Sequence, residues 1–516
     1  MTFTRSRLSH LAIIFASGIG MALTTAPVNW WWLAWIAIVP LWLAILRDRQ
    51  PILSGIVWGI AYHGIVLSWI TGLHPMTWMG VPWLASLVTA IVCWILISLW
   101  GVAFLIVWTW IQSKLHGFDR LNDGTIVFVG VALWCVLEAL WSRSPLWWTS
   151  LAFTQASQNL IVTHLGQLSG TTAVTAAIVA VNGCVALGIT KWQQRRSPGF
   201  ASPYFITAIV LFFCSHLLGF WLFSRPLNNN PNMALTVGII QGNVPNEIKL
   251  SDVGYRRALE NYTTGYRSLA NAGVDVILTP ETALPFYWEE SKTRSNSPAG
   301  HLYQAILDEG APIWLGTFGK KEGGYTNSLL YIDGNGKTIA RYNKVKLVPL
   351  GEYIPLDNIL GNIIDRLSPL NARLIPGSPA QTFDSPFGTA IASICYESAF
   401  SYHFKRQAQR GGELILSASN DDHYAQRMPV QHHAQDIMRA IEVDRASIRA
   451  TNTGYSAIVD PHGRTLWKSA IDTYETHAAT IYRRQTRTLY VRWGDWLTPV
   501  LAIGAIVGLT VAFWYN

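Results

Sequence analysis

The sequence predicts a mixed α/β domain inserted between the seventh and eighth helices of an eight-helix transmembrane bundle. Three observations predict it. Long apolar runs recur through the first 225 residues and once more at 495–514. Between them, residues 226–494 break into short apolar runs separated by turn residues and amphipathic stretches, as strands and covering helices do. Charge divides at the same place: positions 1–225 hold eleven Lys/Arg and four Asp/Glu, +7 of the formal +8. With 516 residues and 50% hydrophobic content, the chain exceeds one ordinary domain. The expected division is 1–225, 226–494 and 495–516.

Apolar segments fall near 11–27, 30–46, 52–72, 82–110, 125–141, 169–189, 204–223 and 495–514. Most approach the roughly 20 residues that cross a bilayer. Backbone groups in lipid must bond internally, so these are expected helices. Arg5 and Arg7 ahead of an apolar run would suit a signal peptide, but the further apolar segments displace that reading. Loops set the orientation through the positive-inside rule. With the N-terminus inside, Arg47–Gln50, Lys114–Asp123 and Lys191–Ser197 carry seven basic residues, and the opposite loops carry only Arg143. Residues 226–494 then lie on the outer side. A basic balance can mark a nucleic-acid binder, but these charges sit between apolar spans and report topology.

Trp30, Trp31, Trp32, Trp147 and Trp148 stand at span edges, where an aromatic belt is expected. Inside the spans, Glu138 reads as a carboxylate paired within the bundle. His63 reads as a hydrogen-bonded packing residue, since no second histidine lies at metal-site spacing. Neither a repeat of transporter halves nor paired broken helices is visible.

The polar half opens with the turn-rich linker Arg225-Pro226-Leu227-Asn228-Asn229-Asn230-Pro231. Strands are expected at 235–240, 274–278, 312–317, 328–333, 338–343, 387–394, 414–418 and 455–460, with helices at 251–270, 398–410 and 430–446. Asp333-Gly334-Asn335-Gly336 and Pro461-His462-Gly463 supply hairpin turns. Residues 361–384 carry Pro and Gly in mixed apolar surroundings and read as a long loop or lid. Two layers of sheet, each covered by helices, fit this order.

Cys93, Cys135, Cys184 and Cys214 lie in apolar segments, where cysteine behaves as a small hydrophobe. Cys395 is alone in the polar half, so no disulfide can form within it. It closes an apolar run, Thr389 to Ile394, and opens a polar, helix-starting stretch. Glu281 follows one expected strand and Lys344 ends another. Strand ends can bring distant residues to one rigid site. A thiol of ordinary pKa near 8.5 needs a base or a cation to react at neutral pH. Glu281 can take its proton, and Lys344 can stabilise the oxyanion formed on a carbonyl. Taken singly, such a Glu or Lys is usually a solvated charge and a lone Cys usually packs.

Together, Pro280-Glu281, Tyr342-Asn343-Lys344 and Ile394-Cys395-Tyr396-Glu397 resemble the Glu-Lys-Cys triad of the nitrilase (carbon–nitrogen hydrolase) superfamily. Set among the apolar spans, the chain more narrowly resembles the apolipoprotein N-acyltransferase family, over essentially its whole length. The most specific stretches are Leu347-Val348-Pro349-Leu350-Gly351-Glu352-Tyr353-Ile354-Pro355, Ile394-Cys395-Tyr396-Glu397, Ser419-Asn420-Asp421 and Arg449-Ala450-Thr451-Asn452-Thr453-Gly454. This resemblance implies a nitrilase-like αββα sandwich on the periplasmic face of a bacterial inner membrane, with no cofactor and no metal. It implies a ping-pong reaction in which Cys395 takes an acyl chain from a phospholipid. The chain then passes to the α-amine of the N-terminal S-diacylglyceryl-cysteine of an apolipoprotein. Supporting roles are implied for Glu352, Tyr396 and Glu397. Glu352 can hold Lys344 or assist Glu281, Tyr396 can offer a backbone N–H to the oxyanion, and Glu397 can orient its neighbours.

The chain departs from the family pattern at Leu250 and Thr279, where tryptophans are common, and at Asp422-His423-Tyr424-Ala425. Lipid preference is expected to differ accordingly. His432 and His433 are adjacent on a predicted helix and so point apart, unlike an i, i+4 metal pair. Leu284, Phe286, Tyr287 and Trp288 are expected to dip into lipid or gate the site, together with 361–384. Two rival readings stand beside the acyltransferase: a membrane-anchored amidase of small molecules, and a non-catalytic lipoprotein-binding module.

Overall fold

A computed structural model describes residues 2–118, 121–195, 202–293, 298–353 and 374–514. The chain divides into two compact units. One comprises Met1–Thr71, Val88–Arg225 and Thr488–Asn516; the other comprises Gly72–Leu87 and Pro226–Arg487.

Among the described residues, four helices are long and apolar enough to cross a membrane: Trp83–His116, Asp123–Trp141, Thr171–Gln194 and Pro203–Phe223. Shorter apolar helical segments, Arg7–Ala22, Trp31–Leu46, Pro51–Val66 and Leu497–Ala512, stand at the other expected positions. Thr2–Ala22 is a 21-residue helix, whereas the sixteen residues of Pro51–Val66 rise about 24 Å, short of the ~30 Å hydrocarbon core. The second expected span is broken into a 3₁₀ turn, Trp31–Trp35, and a helix, Val39–Leu46. Asn182 serves the break: its Oδ1 accepts from Ile38 N at 2.9 Å and its Nδ2 donates to Ala34 O at 2.9 Å. Backbone freed in an apolar setting needs such a partner. Glu138 is buried and accepts from Ser150, Thr175 and Trp134, so it is met by neutral donors. His63 Nδ1 is hydrogen-bonded to Thr149 Oγ1 at 2.9 Å, as a packing residue should be. Trp30 and Trp32 are exposed, as an aromatic belt requires, but Trp147 and Trp148 are buried. They pack inside the unit, Trp147 against Phe104 and Trp148 against Trp69.

The second unit holds two mixed sheets. In the first, β1 (Ala234–Gln241), β2 (Val276–Leu278) and β4 (Ile313–Lys321) run parallel, and β3 (Leu284–Tyr287) also pairs with β4. Antiparallel β5 (Gly324–Ile332) and β6 (Thr338–Asn343) extend one side. In the second, β8 (Gly388–Ile394), β9 (Leu414–Ser419) and β10 (Ser447–Thr451) are parallel. They are flanked by antiparallel β7 (Phe383–Ser385) and β11 (Ala457–Val459), with β12 (Thr465–Lys468) beyond. β13 (Glu475–Tyr482) returns to pair antiparallel with β1.

Side-chain alternation explains the layers. Leu235, Val237 and Ile239 of β1 share one buried cluster with Ala390, Ala392 and Ile394 of β8 and with Leu414, Leu416 and Ala418 of β9. This is the sheet-on-sheet core. Ile240, Ile277, Ile313 and Leu315 face the other way, onto Tyr262, Tyr266 and Leu269 of helix Asp252–Asn271 and Leu302 and Ile306 of helix Pro298–Glu309. Helices Ser401–Gln409 and Arg427–Val443 pack on the second sheet. The layering is α-β-β-α, a nitrilase-like fold.

Strands read from apolar runs are present within a few residues, and the two hairpin turns join β5 to β6 and β11 to β12. Of the expected loop 361–384, residues 361–373 lie outside the described residues, and its end forms β7. The lipid-dipping expectation is corrected for Leu284, Phe286 and Trp288, while Tyr287 is half-buried against Tyr325. Leu284 and Trp288 are wholly buried, and Phe286 packs against the same helix-covered core.

Candidate active site

Parallel strands end on one side of a sheet, so the turns after them are neighbours. Glu281 follows β2 in the turn Thr279-Pro280-Glu281-Thr282, where Thr282 adopts φ +44°. Lys344 follows β6, and its backbone N donates to Asn327 O of β5 at 2.8 Å. Cys395 ends β8 and starts a 3₁₀ turn, Cys395–Ala399. Its φ is +51°, a left-handed conformation that costs a non-glycine residue about 1 kcal/mol or more. Such strain persists where surrounding contacts over-determine it, and it turns the thiol out of the strand's line.

Lys344 is the hub. Its Nζ lies 2.9 Å from Glu281 Oε1 and 2.9 Å from Glu352 Oε1, with the lysine 1% exposed. Burial alone would lower the ammonium's pKa, but the two carboxylates outweigh it and hold the pKa well above the usual lysine range. Burial pushes Glu352 up, with Lys344 opposing and Glu281 adding to the rise. Glu352 Oε2 also accepts from Val348 N at 2.8 Å. Burial raises the Cys395 thiol well above its ordinary value, Glu281 and Asp421 raise it further, and Lys344 opposes them. The resting sulfur therefore carries its proton at neutral pH and needs a base before it can attack. Glu281, Lys344 and Cys395 are brought together, and Glu352 joins them.

Glu397 is fully buried and bonds both approaches to the site. Its Oε1 accepts from Val345 N at 2.6 Å and Lys346 N at 3.0 Å, just after Lys344. Its Oε2 accepts from Ile394 N at 2.7 Å, just before Cys395, and from Tyr342 Oη at 2.8 Å. One carboxylate thus fixes the cation relative to the thiol. Tyr396 is half-buried, with its ring edge-on to Phe400 at 5.0 Å.

Sequence reasoning missed several residues of this site. Asn327 donates through Nδ2 to Glu281 Oε1 at 2.6 Å and to Glu352 Oε1 at 3.0 Å. It lies on the polar start of β5, outside the expected strand, and only strand register locates it. His432 bonds the carbonyl of Cys395 through Nε2 at 2.9 Å, and Arg449 NH1 reaches its Nδ1 at 3.1 Å. Arg449 is in turn held by Asp436 and Ser419. Asn420 and Asn452 join the ends of β9 and β10 to the loop after β1, through Asn246 and Val244. His433 faces away, to Thr465 Oγ1, so the two histidines do point apart. Among the described residues, no group of His, Cys, Asp and Glu is placed to hold a metal ion.

The departures sit as follows. Thr279 is buried in the fold, and its Oγ1 accepts from Gly316 N of β4 at 3.0 Å. Leu250 is half exposed. His423 stacks on Trp78 with centroids 5.7 Å apart, so Gly72–Leu87 contributes to the wall beside Asp422.

Comparisons with known proteins agree with this architecture. Residues 225–490 match the carbon–nitrogen hydrolase family, and residues 17–184 match the apolipoprotein N-acyltransferase N-terminal domain. An apolipoprotein N-acyltransferase from Nostoc sp. is 51% identical over 504 residues, covering 96% of this chain and 98% of that protein. One from Synechocystis sp. is 45% identical over 509 residues, covering 94% and 97%. The solved amidase from Nesterenkonia sp. aligns at 17% identity and TM-score 0.37, over 50% of this chain and 94% of that one, and nothing rests on it. By its identity over nearly its whole length, the chain belongs to the apolipoprotein N-acyltransferase family, membrane-associated enzymes of the nitrilase superfamily that work through a cysteine nucleophile.

Proposed function

We propose that this protein transfers an acyl chain from a phospholipid to the α-amine of the N-terminal S-diacylglyceryl-cysteine of apolipoproteins, with Cys395 as nucleophile, Glu281 as base and Lys344 as oxyanion stabiliser. The observation that carries the assignment is the Lys344 ammonium held between Glu281 and Glu352 beside a protonated, strained Cys395. Glu281 takes the Sγ proton as sulfur attacks the ester carbonyl, and Lys344 balances the negative charge developing on oxygen. Collapse breaks the ester C–O bond. The glycerol oxygen leaves with the proton from Glu281, giving a lysophospholipid and a Cys395 thioester. The acceptor amine then attacks the thioester carbonyl and passes a proton to Glu281, and the C–S bond breaks. Sulfur recovers the proton, and the product is an amide. Glu352 and Glu397 hold the geometry, and the Tyr396 backbone N–H is proposed as a second oxyanion donor.

In this reading, residues 1–225 and 495–516 are membrane parts with all eight apolar segments crossing, and 226–494 is catalytic. The catalytic part faces the periplasm from a bacterial inner membrane, as the basic residues of the short loops support. Placing the site at the bilayer spares the cost of drawing acyl chains into water, about 0.8 kcal/mol per methylene.

The test incubates purified protein with labelled phospholipid. A hydroxylamine-sensitive acyl adduct is expected on the wild type, absent in Cys395→Ala, that passes to a diacylated lipopeptide. An adduct that only hydrolyses would make the protein an amidase-type hydrolase. No adduct at all would leave a binding module.

A further inference from the structure

One buried cation near this site has no part in the reaction as written. Lys249 lies in the short turn Asn246–Lys249 after β1 and is 6% exposed. Lysine is almost never buried so fully unless it is paired. Among the described residues no ion pair holds it. Instead, Nζ donates to Thr282 Oγ1 at 2.8 Å and reaches the Glu281 carbonyl at 3.4 Å. Both contacts fall on the turn that presents the Glu281 carboxylate, the shorter one at Thr282, which is held in the left-handed region.

From this geometry we infer that Lys249 is a positioning residue for Glu281, clamping the Glu281–Thr282 turn and supplying the second positive charge of the buried cluster. The inference rests on the assignment of Glu281 and Cys395 above. The carboxyl groups of Glu281 and Glu352 share the single ammonium of Lys344. A further negative charge must develop on sulfur and then on the substrate oxygen. In a site of low dielectric, a second ammonium offsets that build-up.

The groups facing Lys249 come from three turns: Glu281 after β2, Cys395 after β8, and Asp422 and His423 after β9. Glu247 stands at the start of its own turn. Burial pulls the ammonium's pKa down to about 8, against the opposing pull of Glu281, Asp422 and Cys395. Lys249 therefore loses its charge just above neutrality, whereas an arginine there would keep it.

The test measures the rate of acyl-adduct formation on full-length protein between pH 5.5 and 9.5, for wild type, Lys249→Met and Lys249→Arg, with melting temperatures recorded alongside. The wild-type rate is expected to fall above pH ~8 as Lys249 deprotonates. Lys249→Arg should keep its rate through that range. Lys249→Met should be about tenfold slower at pH 7 and should lack the alkaline fall of the wild type, because the group that titrates there is gone. A Lys249→Met enzyme with wild-type rate, or a slower one that keeps the wild-type alkaline fall, would overturn the inference while Cys395 chemistry stood. Absence of any adduct on the wild type would instead remove the catalytic assignment, and this inference with it.

Discussion

Glu397 is the residue on which the spacing between cation and thiol depends. It accepts four hydrogen bonds, three from backbone N–H groups on the two approaches to the site. Replacing one carboxylate oxygen with an amide NH₂ sets donor against donor on one side of the group. Hydrogen bonds to a charged group contribute about 1.5–3 kcal/mol each. Glu397→Gln is therefore expected to lose about 3 kcal/mol of stability and more than 100-fold in adduct formation, since an error of about 1 Å costs that much in rate. Tyr342→Phe removes one of the four bonds and is expected to lose about 1.5 kcal/mol. Unfolding midpoints in detergent and adduct rates measure both. Glu281 offers a sharper test, because its charge and its basicity act on Cys395 in opposite directions. Glu281→Gln removes a negative charge that raises the thiol pKa, so Cys395 should ionise at lower pH and be alkylated faster, read on its own peptide by mass spectrometry. Acyl transfer should nevertheless fall by 10² or more, because no base remains. Slower alkylation would show that Glu281 does not face the sulfur. The acid, the cation and the thiol were legible in the sequence because each stands where an apolar run stops. Asn327, Lys249 and His432 were not, since each is an ordinary polar residue until β5, the β1 turn and helix Arg427–Val443 are folded around the site.

Among the elements, β4 and the turn after β2 fit together through an absence. At Gly316 a Cβ would lie 1.9 Å from Pro280 O and 3.1 Å from Thr282 N, both backbone atoms that cannot step aside. Gly316→Ala should displace the Glu281 turn and cost about 2–3 kcal/mol, with activity lost out of proportion to stability. Melting and adduct rate on one preparation separate the two. Helix Arg427–Val443 is tied to β10 by Asp436 and Arg449, both buried. Burial alone would raise the Asp436 carboxyl, but Arg449 outweighs it and holds the pKa below its ordinary 3.8. A depressed carboxylate gives stability that is present above its unfolded pKa and lost as pH falls through the folded one. Asp436→Asn should therefore flatten the acid limb of stability below pH ~4 and cost about 3–5 kcal/mol at pH 7, leaving Arg449 buried without its partner. Unfolding from pH 3 to 7 tests it. Of the strands buried on both faces, β8 and β9 were readable as apolar runs, and β10 was not, because Ser447, Arg449 and Thr451 interrupt it. β13 was not, because Thr476, His477, Ala478, Ala479 and Thr480 lack an apolar alternation, and only pairing with β1 makes them a strand. β3 and helix Pro298–Glu309 were hidden for a related reason: their apolar residues are interrupted by Pro and Gly.

At the scale of the whole molecule, charge and hydropathy divide the chain before any fold is known. The proposed orientation gives an expectation for labelling in intact spheroplasts. Asn229→Cys should react with a membrane-impermeant maleimide, and Gln193→Cys only after permeabilisation, in a background where Cys93, Cys184 and Cys214 are alanine. The reverse pattern would invert the topology. What hydropathy could not reveal is that the chain passes between its two compact units four times, after residues 71, 87, 225 and 487. The segment Gly72–Leu87, a loop with the first residues of helix Trp83–His116, belongs with the α-β-β-α unit. Trp78 lies there flat on His423, and Gly72 sits so close to Ala425 that a Cβ would come within 2.3 Å of its nitrogen. A sequence reader would swap parts between relatives by cutting near 225 and 490. Such a chimera would bring a foreign segment to the face beside Asp422. The compact unit is discontinuous, and any graft of this α-β-β-α unit must carry the sixteen residues Gly72–Leu87 with it.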